Sequence, residues 1–149
     1  MTFSRKVSCP YCGAADRVPA ERWSEELECS QCGRALFASR PLELTEQDFD
    51  EQVGAGELPV LVDFWASWCG PCKAMAPAFE KAAQTLESRV RFAKLNTDDA
   101  QSVAQKYGIR SIPTMILFQG GQEVARHSGA MMAGDIEQWV DDQLAESAA

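Results

Sequence analysis

The chain has 149 residues, 46% of them apolar and 24% charged, and a formal net charge of −8. That length suits one domain of about 100 residues plus something smaller. The acidic balance argues against a nucleic-acid partner, which would want a basic face. The longest apolar runs, "VLVDFWA" and "TMILF", are far short of the roughly 20 residues of a membrane helix, so no membrane partner is expected. No apolar segment follows the basic start "MTFSRK", and the expected location is the cytoplasm.

Charge is unevenly placed. Residues 1–40 carry six Lys/Arg against five Asp/Glu, and residues 41–149 carry eight against seventeen. The shift marks two expected units. The six cysteines, in a reducing compartment, point to metal or catalysis rather than to a disulfide scaffold.

The first unit, residues 1–40, has few large apolar residues and no clean period of 2 or 3.6. A segment this short rarely holds itself together by burial and needs a staple. Cys9, Cys12, Cys29 and Cys32 follow the pattern C-x2-C-x16-C-x2-C, within the range read as a structural four-thiolate Zn2+ site. Gly13 and Gly33 follow the two pairs, where a residue without Cβ can take the positive φ of a tight turn. Metal binding would then supply folding energy. Iron accepts the same ligands. Four spare thiols, or a redox-labile pair, are the bland alternative, and oxidants that eject the metal an intermediate case. "CPYC" is also the active-site tetrapeptide of glutaredoxins. A catalytic pair of that kind follows a buried strand and opens a helix, whereas "TFSRKVS" is a poor buried strand and "GAADRVPAE" a poor helix start.

The second unit, residues 41–149, alternates strands and helices. "LELTEQDFDEQV" reads as a short strand and a helix capped at Thr45. "GAGELP" is a loop, too little for a phosphate cradle. Val60 to Ala66 is a continuous β-rich run, as in a strand buried on both faces. A helix is expected from Gly70 to Leu86, interrupted and kinked at Pro77. "VRFAKLNTD" is a further strand, and "DAQSVAQKYG" a short helix ending at Gly108. "TMILFQGGQEVARHSG" is a hairpin turning at Gly120-Gly121. "GDIEQWVDDQLAE" closes the chain as an amphipathic helix. The fold class is α/β, a mixed central sheet with helices on both faces, plus a small zinc-ribbon-like N-terminal domain. Asp98-Asp99 and Asp141-Asp142 read as solvated charges, the lone His127 as a surface residue, and Met131 and Met132 as filling more than contact.

The third pair, Cys69 and Cys72 in "WCGPC", lies between the buried strand and the long helix. Cys69 falls at the N-cap and Cys72 in the first turn, with Pro71 where a missing N–H costs nothing. Free N–H groups and the helix dipole stabilise a thiolate there. Cys69, at the exposed end, is the expected nucleophile on a substrate disulfide, and Cys72 the thiol that resolves the mixed disulfide.

Over Leu42 to Ala145 the chain resembles the thioredoxin family. "DFWASWCGPCK" resembles the active-site segment. "SIPT" at Ser111 to Thr114 is similar to the cis-proline loop, and "KLN" at Lys94 and "SGA" at Ser128 also match. With its four-cysteine extension it resembles the zinc-bearing bacterial branch. Ser67 departs from the Pro, Glu or Ala usual there, a tuning effect at most. The resemblance implies that Asp63, six residues before Cys69, accepts the proton of Cys72, with Lys94 as charge partner. It implies a cis bond at Pro113, which exposes the Ile112 backbone to an extended substrate and keeps metal from the thiols. Trp68, Gly70, Pro71, Ile112 and Gly129 are implied to form the docking surface, and Trp65 to divide its role between site and core.

The implied activity is that of a protein-disulfide reductase, a thiol-disulfide oxidoreductase near about −270 mV. Its expected partners are an NADPH-dependent thioredoxin reductase and oxidised protein substrates. No organic cofactor is expected, and the chain should be a monomer. Two rival readings remain: a redox-controlled zinc protein (oxidant sensor or holdase) on a thioredoxin scaffold, and a disulfide isomerase or oxidase, against which "CGPC" argues.

Overall fold

The computed structural model describes residues 4–22, 26–37, 40–54, 56–86 and 89–148. Two sheets form. The smaller is a hairpin of β1 (Ser4–Ser8) and β2 (Ala15–Pro19), antiparallel, with Val7 opposite Asp16 and Arg5 opposite Val18. The larger has five strands in the order β3-β5-β4-β6-β7: β3 (Leu42–Leu44), β4 (Val60–Trp65), β5 (Arg91–Asn96), β6 (Thr114–Gln119) and β7 (Gln122–Ser128). Strands β3, β5 and β4 run parallel, and β6 and β7 are antiparallel additions. The helices are α1 (Phe49–Gly54), α2 (Gly70–Leu86), α3 (Gln101–Lys106) and α4 (Ala133–Ala148).

Alternation along β4 builds two cores. Val60, Val62 and Phe64 face Phe49 and Val53 of α1 and Val103 of α3. Leu61 faces Met75, Phe79, Ala82 and Ala83 of α2, with Ile136 and Val140 of α4. A strand covered on both faces has no polar side to show, which is why its sequence is continuously apolar. Asp63 shares the α2-facing side with Leu61, and this carboxylate is 1% exposed.

Local signals set the ends of several elements. Thr45 and Asp48 make a reciprocal cap ahead of α1: Thr45 N–H donates to Asp48 Oδ1 (2.7 Å), and Asp48 N–H to Thr45 Oγ1 (3.1 Å). Gly120 and Gly121, at φ 60° and 78°, close the β6–β7 hairpin. Helix α2 runs unbroken through Pro77. Burial of Phe79, Ala82, Ala83 and Leu86 on its far half outweighs the roughly 3 kcal/mol that an internal proline costs.

The N-terminal unit is better ordered than its sequence suggests. "SRKVS" is a strand after all, with Val7 buried, although it pairs only with β2. Val7, Val18, Leu27 and Leu36 pack with Cys9, Cys29 and, from the second unit, Leu58. Three residues of the second unit hydrogen-bond to this segment, beside the contacts Arg5–Arg89 and Arg17–Glu57. Arg91 of β5 donates to the carbonyls of Ser8 and Leu36. Gln52 of α1 donates to Pro10 O (3.2 Å). Glu57 N–H donates to Lys6 O (2.7 Å). The Gly54–Gly56 stretch thereby gains a role in packing: a Cβ on Gly56 would lie 2.9 Å from Lys6 O. Ala55 lies outside the described residues.

Candidate functional site

Cys69 directly precedes α2, at its N-cap, and forms a disulfide with Cys72. Cys72 N–H donates to Cys69 Sγ (3.2 Å), and Lys73 N–H to Cys69 O (3.1 Å). The sulfur of Cys69 thus takes the place of a capping oxygen, where the helix dipole favours its thiolate. Both cysteines sit below the surface, at 5% and 2% exposure. The expected contrast in exposure is therefore small, because Ala66, Trp65 and Ile112 pack around both. What separates them is direction. Cys69 lines an open groove of about 520 Å³ with Trp68, Gly70, Pro71 and Ile112; Cys72 does not.

The opposite wall comes from the loop before β6. The Ile112–Pro113 peptide is cis, and Ile112 O lies 3.8 Å from Cys69 Sγ. Pro113 O accepts from Gly129 N–H (2.8 Å), and this ties the end of β7 to the same wall. Trp68 is 69% exposed over the mouth. Its Nε1 donates to Asp98 Oδ2 (2.9 Å). Asp98, a solvated charge by its sequence, steers the indole in the fold. Thr97, Ile109 and Arg110, which no sequence motif marks, line the groove beside Ser111 of the "SIPT" loop. The available signal was position: these residues follow β5 or precede β6, at the end of the sheet where the carboxyl ends of β4 and β5 leave ligand space.

On β4, burial raises the Asp63 carboxyl to about 7, and the charge of Lys94 offsets only part of that effect. Asp63 Oδ1 has no hydrogen-bond partner among the described residues. Lys94 is Asp63's register neighbour on β5. No ion pair joins them among the described residues, and the Lys94 ammonium lies 4.4 Å from the centre of the Trp65 ring. Trp65 is partly buried against Cys69 and Cys72, a platform for the cation as well as packing.

The four N-terminal cysteines converge elsewhere. Their sulfurs all lie within 4.8 Å of one another, with Cys9–Cys32 at 3.6 Å and Cys12–Cys29 at 3.5 Å. A tetrahedral ion with Zn–S bonds of about 2.3 Å spaces its sulfurs by roughly 3.8 Å, so the set fits zinc. The two pairs build equivalent knuckles. Cys9 N–H donates to Ala14 O and Cys29 N–H to Arg34 O, both at 2.8 Å, and Gly13 and Gly33 both have φ 78°. Tyr11 and Gln31 N–H groups each point at a sulfur, at 3.4 Å. N–H groups of Cys32 and Gln31 pull the Cys29 thiol down to about 7. At Cys12 the Ala14 N–H pulls the same way, but hydrogen bonding among the thiols outweighs it and pushes that thiol up to about 12. Four sulfurs this close cannot all ionise without a cation between them. A metal held by Cys9, Cys12, Cys29 and Cys32 would supply that charge and lock the knuckles together.

The thioredoxin family model matches residues 40–142. The chain belongs to the thioredoxin family. It is similar to Thioredoxin C-3 of Corynebacterium nephridii, 44% identical over 138 residues, covering 93% of this chain and 94% of that protein. It is also similar to Thioredoxin 1 of Nostoc sp., 42% identical over 106 residues, covering 71% of this chain and 99% of that one. A thioredoxin of Synechocystis sp. is 49% identical over 89 residues, covering 60% and 83%. The Corynebacterium match leaves too few residues outside it to miss the N-terminal unit, whereas the Nostoc protein is little longer than a thioredoxin domain. As a thioredoxin the chain is a thiol-disulfide oxidoreductase, and its Cys69–Cys72 disulfide fits the redox pair of that family.

Proposed function

We propose that the protein is a cytoplasmic protein-disulfide reductase of the zinc-bearing thioredoxin 2 type. A zinc-binding unit spans residues 1–40 and a thioredoxin domain residues 41–149. In the reduced form the Cys69 thiolate attacks one sulfur of a client disulfide, and the other leaves as a thiolate. Cys72 then attacks Cys69 Sγ, releases the second client thiol and leaves the Cys69–Cys72 disulfide. Asp63 accepts the Cys72 proton, and Lys94 tempers the cost of its charge. Trp68, Gly70, Pro71, Ile112, Pro113 and Gly129 hold the client, the Ile112 backbone pairing with it in the manner of an added strand. An NADPH-dependent thioredoxin reductase returns two electrons, and the protein acts as a monomer.

One observation carries this reading: Cys69 caps α2 and faces an open groove, and the strand that leads to it buries the carboxyl of Asp63, whose Oδ1 has no hydrogen-bond partner among the described residues. The test is insulin-disulfide reduction with reductase and NADPH. Cys69→Ser abolishes turnover, and Cys72→Ser accumulates a covalent adduct with the client. Turnover that survives Cys69→Ser overturns the assignment.

A second reading is favoured by the exposure of Cys12 and Cys32, half of the four-sulfur set. Oxidants reach those thiols, as a redox-controlled zinc protein, sensor or holdase, requires. A sensor or holdase activity intact in Cys69→Ser, with no disulfide reduction in the parent, selects that reading instead.

A further inference from the structure

Beside the reactive groove lies a second, larger one. It measures about 910 Å³ and runs between α2 and α4, one helical turn beyond Cys72. Its lining includes Met75 and Ala78 of α2, Trp139 of α4, and Ala130, Met131 and Met132 of the segment that leads into α4. The two grooves are continuous along the backbone. Gly129 hydrogen-bonds Pro113 at the reactive wall, and the next three residues enter the second groove. The two most exposed large apolar side chains among the described residues, Met132 at 75% and Trp68 at 69%, mark the two grooves. A water-facing methionine gains nothing by staying uncovered, and a flexible thioether accommodates many shapes. Trp139 is half-buried, with the His127 ring 6.2 Å away. The rim carries Asp135 and Asp142 against Lys81.

We propose that this groove is a second client subsite, which takes a large apolar side chain with a basic neighbour from an extended segment of the oxidised protein bound at Cys69. The proposal rests on the reductase reading for its client and extends that client's footprint. The apolar side chain fills the cleft between Met75, Met132 and Trp139, and its Lys or Arg neighbour meets Asp135 and Asp142. Selectivity then comes from sequence around the client cysteine as well as from access to its disulfide.

The test uses synthetic peptides of two kinds. Redox-inert ones carry Ser for Cys, with a Leu-Arg step at successive positions on either side. The indole N–H resonance of Trp139 shifts on binding of the best Leu-Arg peptide, and that peptide binds about tenfold tighter than its Ala-Glu counterpart. The same sequences carrying a disulfide are then reduced against a small aromatic disulfide. Met132→Glu and Asp135→Lys each lower the peptide-to-small-disulfide ratio of kcat/KM by about tenfold. Shifts confined to Trp68, or a ratio that ignores peptide sequence, overturn the subsite while the reductase stands. If no disulfide is reduced yet Trp139 responds to the inert peptides, the subsite stands and the reductase reading falls. A Trp139 shift that tracks protein concentration without peptide gives the groove to a second copy of the chain and overturns the proposal.

Discussion

Arg91 of β5 donates from Nη2 to the carbonyl of Ser8 at 2.9 Å, one residue before Cys9. Its Nη1 donates to Leu36 O, and the guanidinium lies 4.7 Å from the centre of the Phe37 ring. A side chain of the large sheet thus pins both ends of the four-cysteine segment. With Arg91→Met, the buried carbonyl of Leu36 and the partly buried one of Ser8 lose a charged donor, at a cost of about 2–3 kcal/mol. Equilibrium denaturation should show that loss. Zinc should pass to a colorimetric chelator faster than from the parent, and an unchanged release rate would show that Arg91 has no hold on the metal site.

Metal removal separates the two units. The apolar cluster of the first unit is small, and its knuckles are closed by sulfur. On chelation, amide protection should vanish over β1, β2 and both knuckles while β4 and β6 stay protected. Exchange measured residue by residue gives the answer. Persistent protection across Val7 and Val18 would mean that apolar packing alone holds the unit.

Gly56 sits at φ 72°, with its α-carbon against β1. Gly56→Ala combines a left-handed backbone with a 2.9 Å approach to Lys6 O, a clash with backbone that cannot swing aside. Destabilisation of about 1–3 kcal/mol is expected by urea titration. Gly33→Ala has the same backbone penalty without the clash and should cost less.

Asp63 titrates near about 7 in the fold, raised from 3.8 by burial against the partial help of Lys94. The folded protein therefore holds a proton that the unfolded chain has lost. Stability is unpenalised below about pH 4, falls as pH rises from there to about 7, and levels off above that, the whole loss being on the order of 4 kcal/mol. Asp63→Asn should remove that fall, so the gap in denaturation midpoint between parent and variant widens from pH 5 to pH 8. The resolving step should accelerate through the same range in the parent and lose that dependence in the variant. Parallel stability profiles would show that Asp63 is charged throughout.

The bond from Trp68 to Asp98 is exposed and modest in energy. Asp98→Ala should free the indole and raise KM for insulin about threefold with kcat nearly constant, and Asp98→Asn should recover most of the loss. A fall in kcat alone would place the role of Asp98 in chemistry rather than in orienting the docking face.

Elements specified by neighbours in sequence were legible in advance. The β4–α2 step, the Cys69 cap, the Gly120-Gly121 hairpin and the paired knuckles each depend on a few adjacent residues. The β1–β2 hairpin was not, because each strand buries a single valine, too short a run for alternation to register. Asp98 looked like any solvated acid, since nothing near it in sequence announces the indole thirty positions earlier. The interruption expected at Pro77 overlooked how much apolar surface the far half of α2 buries.

By itself the sequence determined the two-residue spacing within each cysteine pair and the local turn or helix start that holds it, because a knuckle and a helix cap are each closed within a few bonds. Only the tertiary structure decided that Lys94 stands beside Asp63 without pairing with it, that Cys69 opens onto a groove while Cys72 does not, and that Arg91 reaches across to Ser8. Those relationships depend on strand register and on the burial of one element against another, and neither exists until distant parts of the chain have packed.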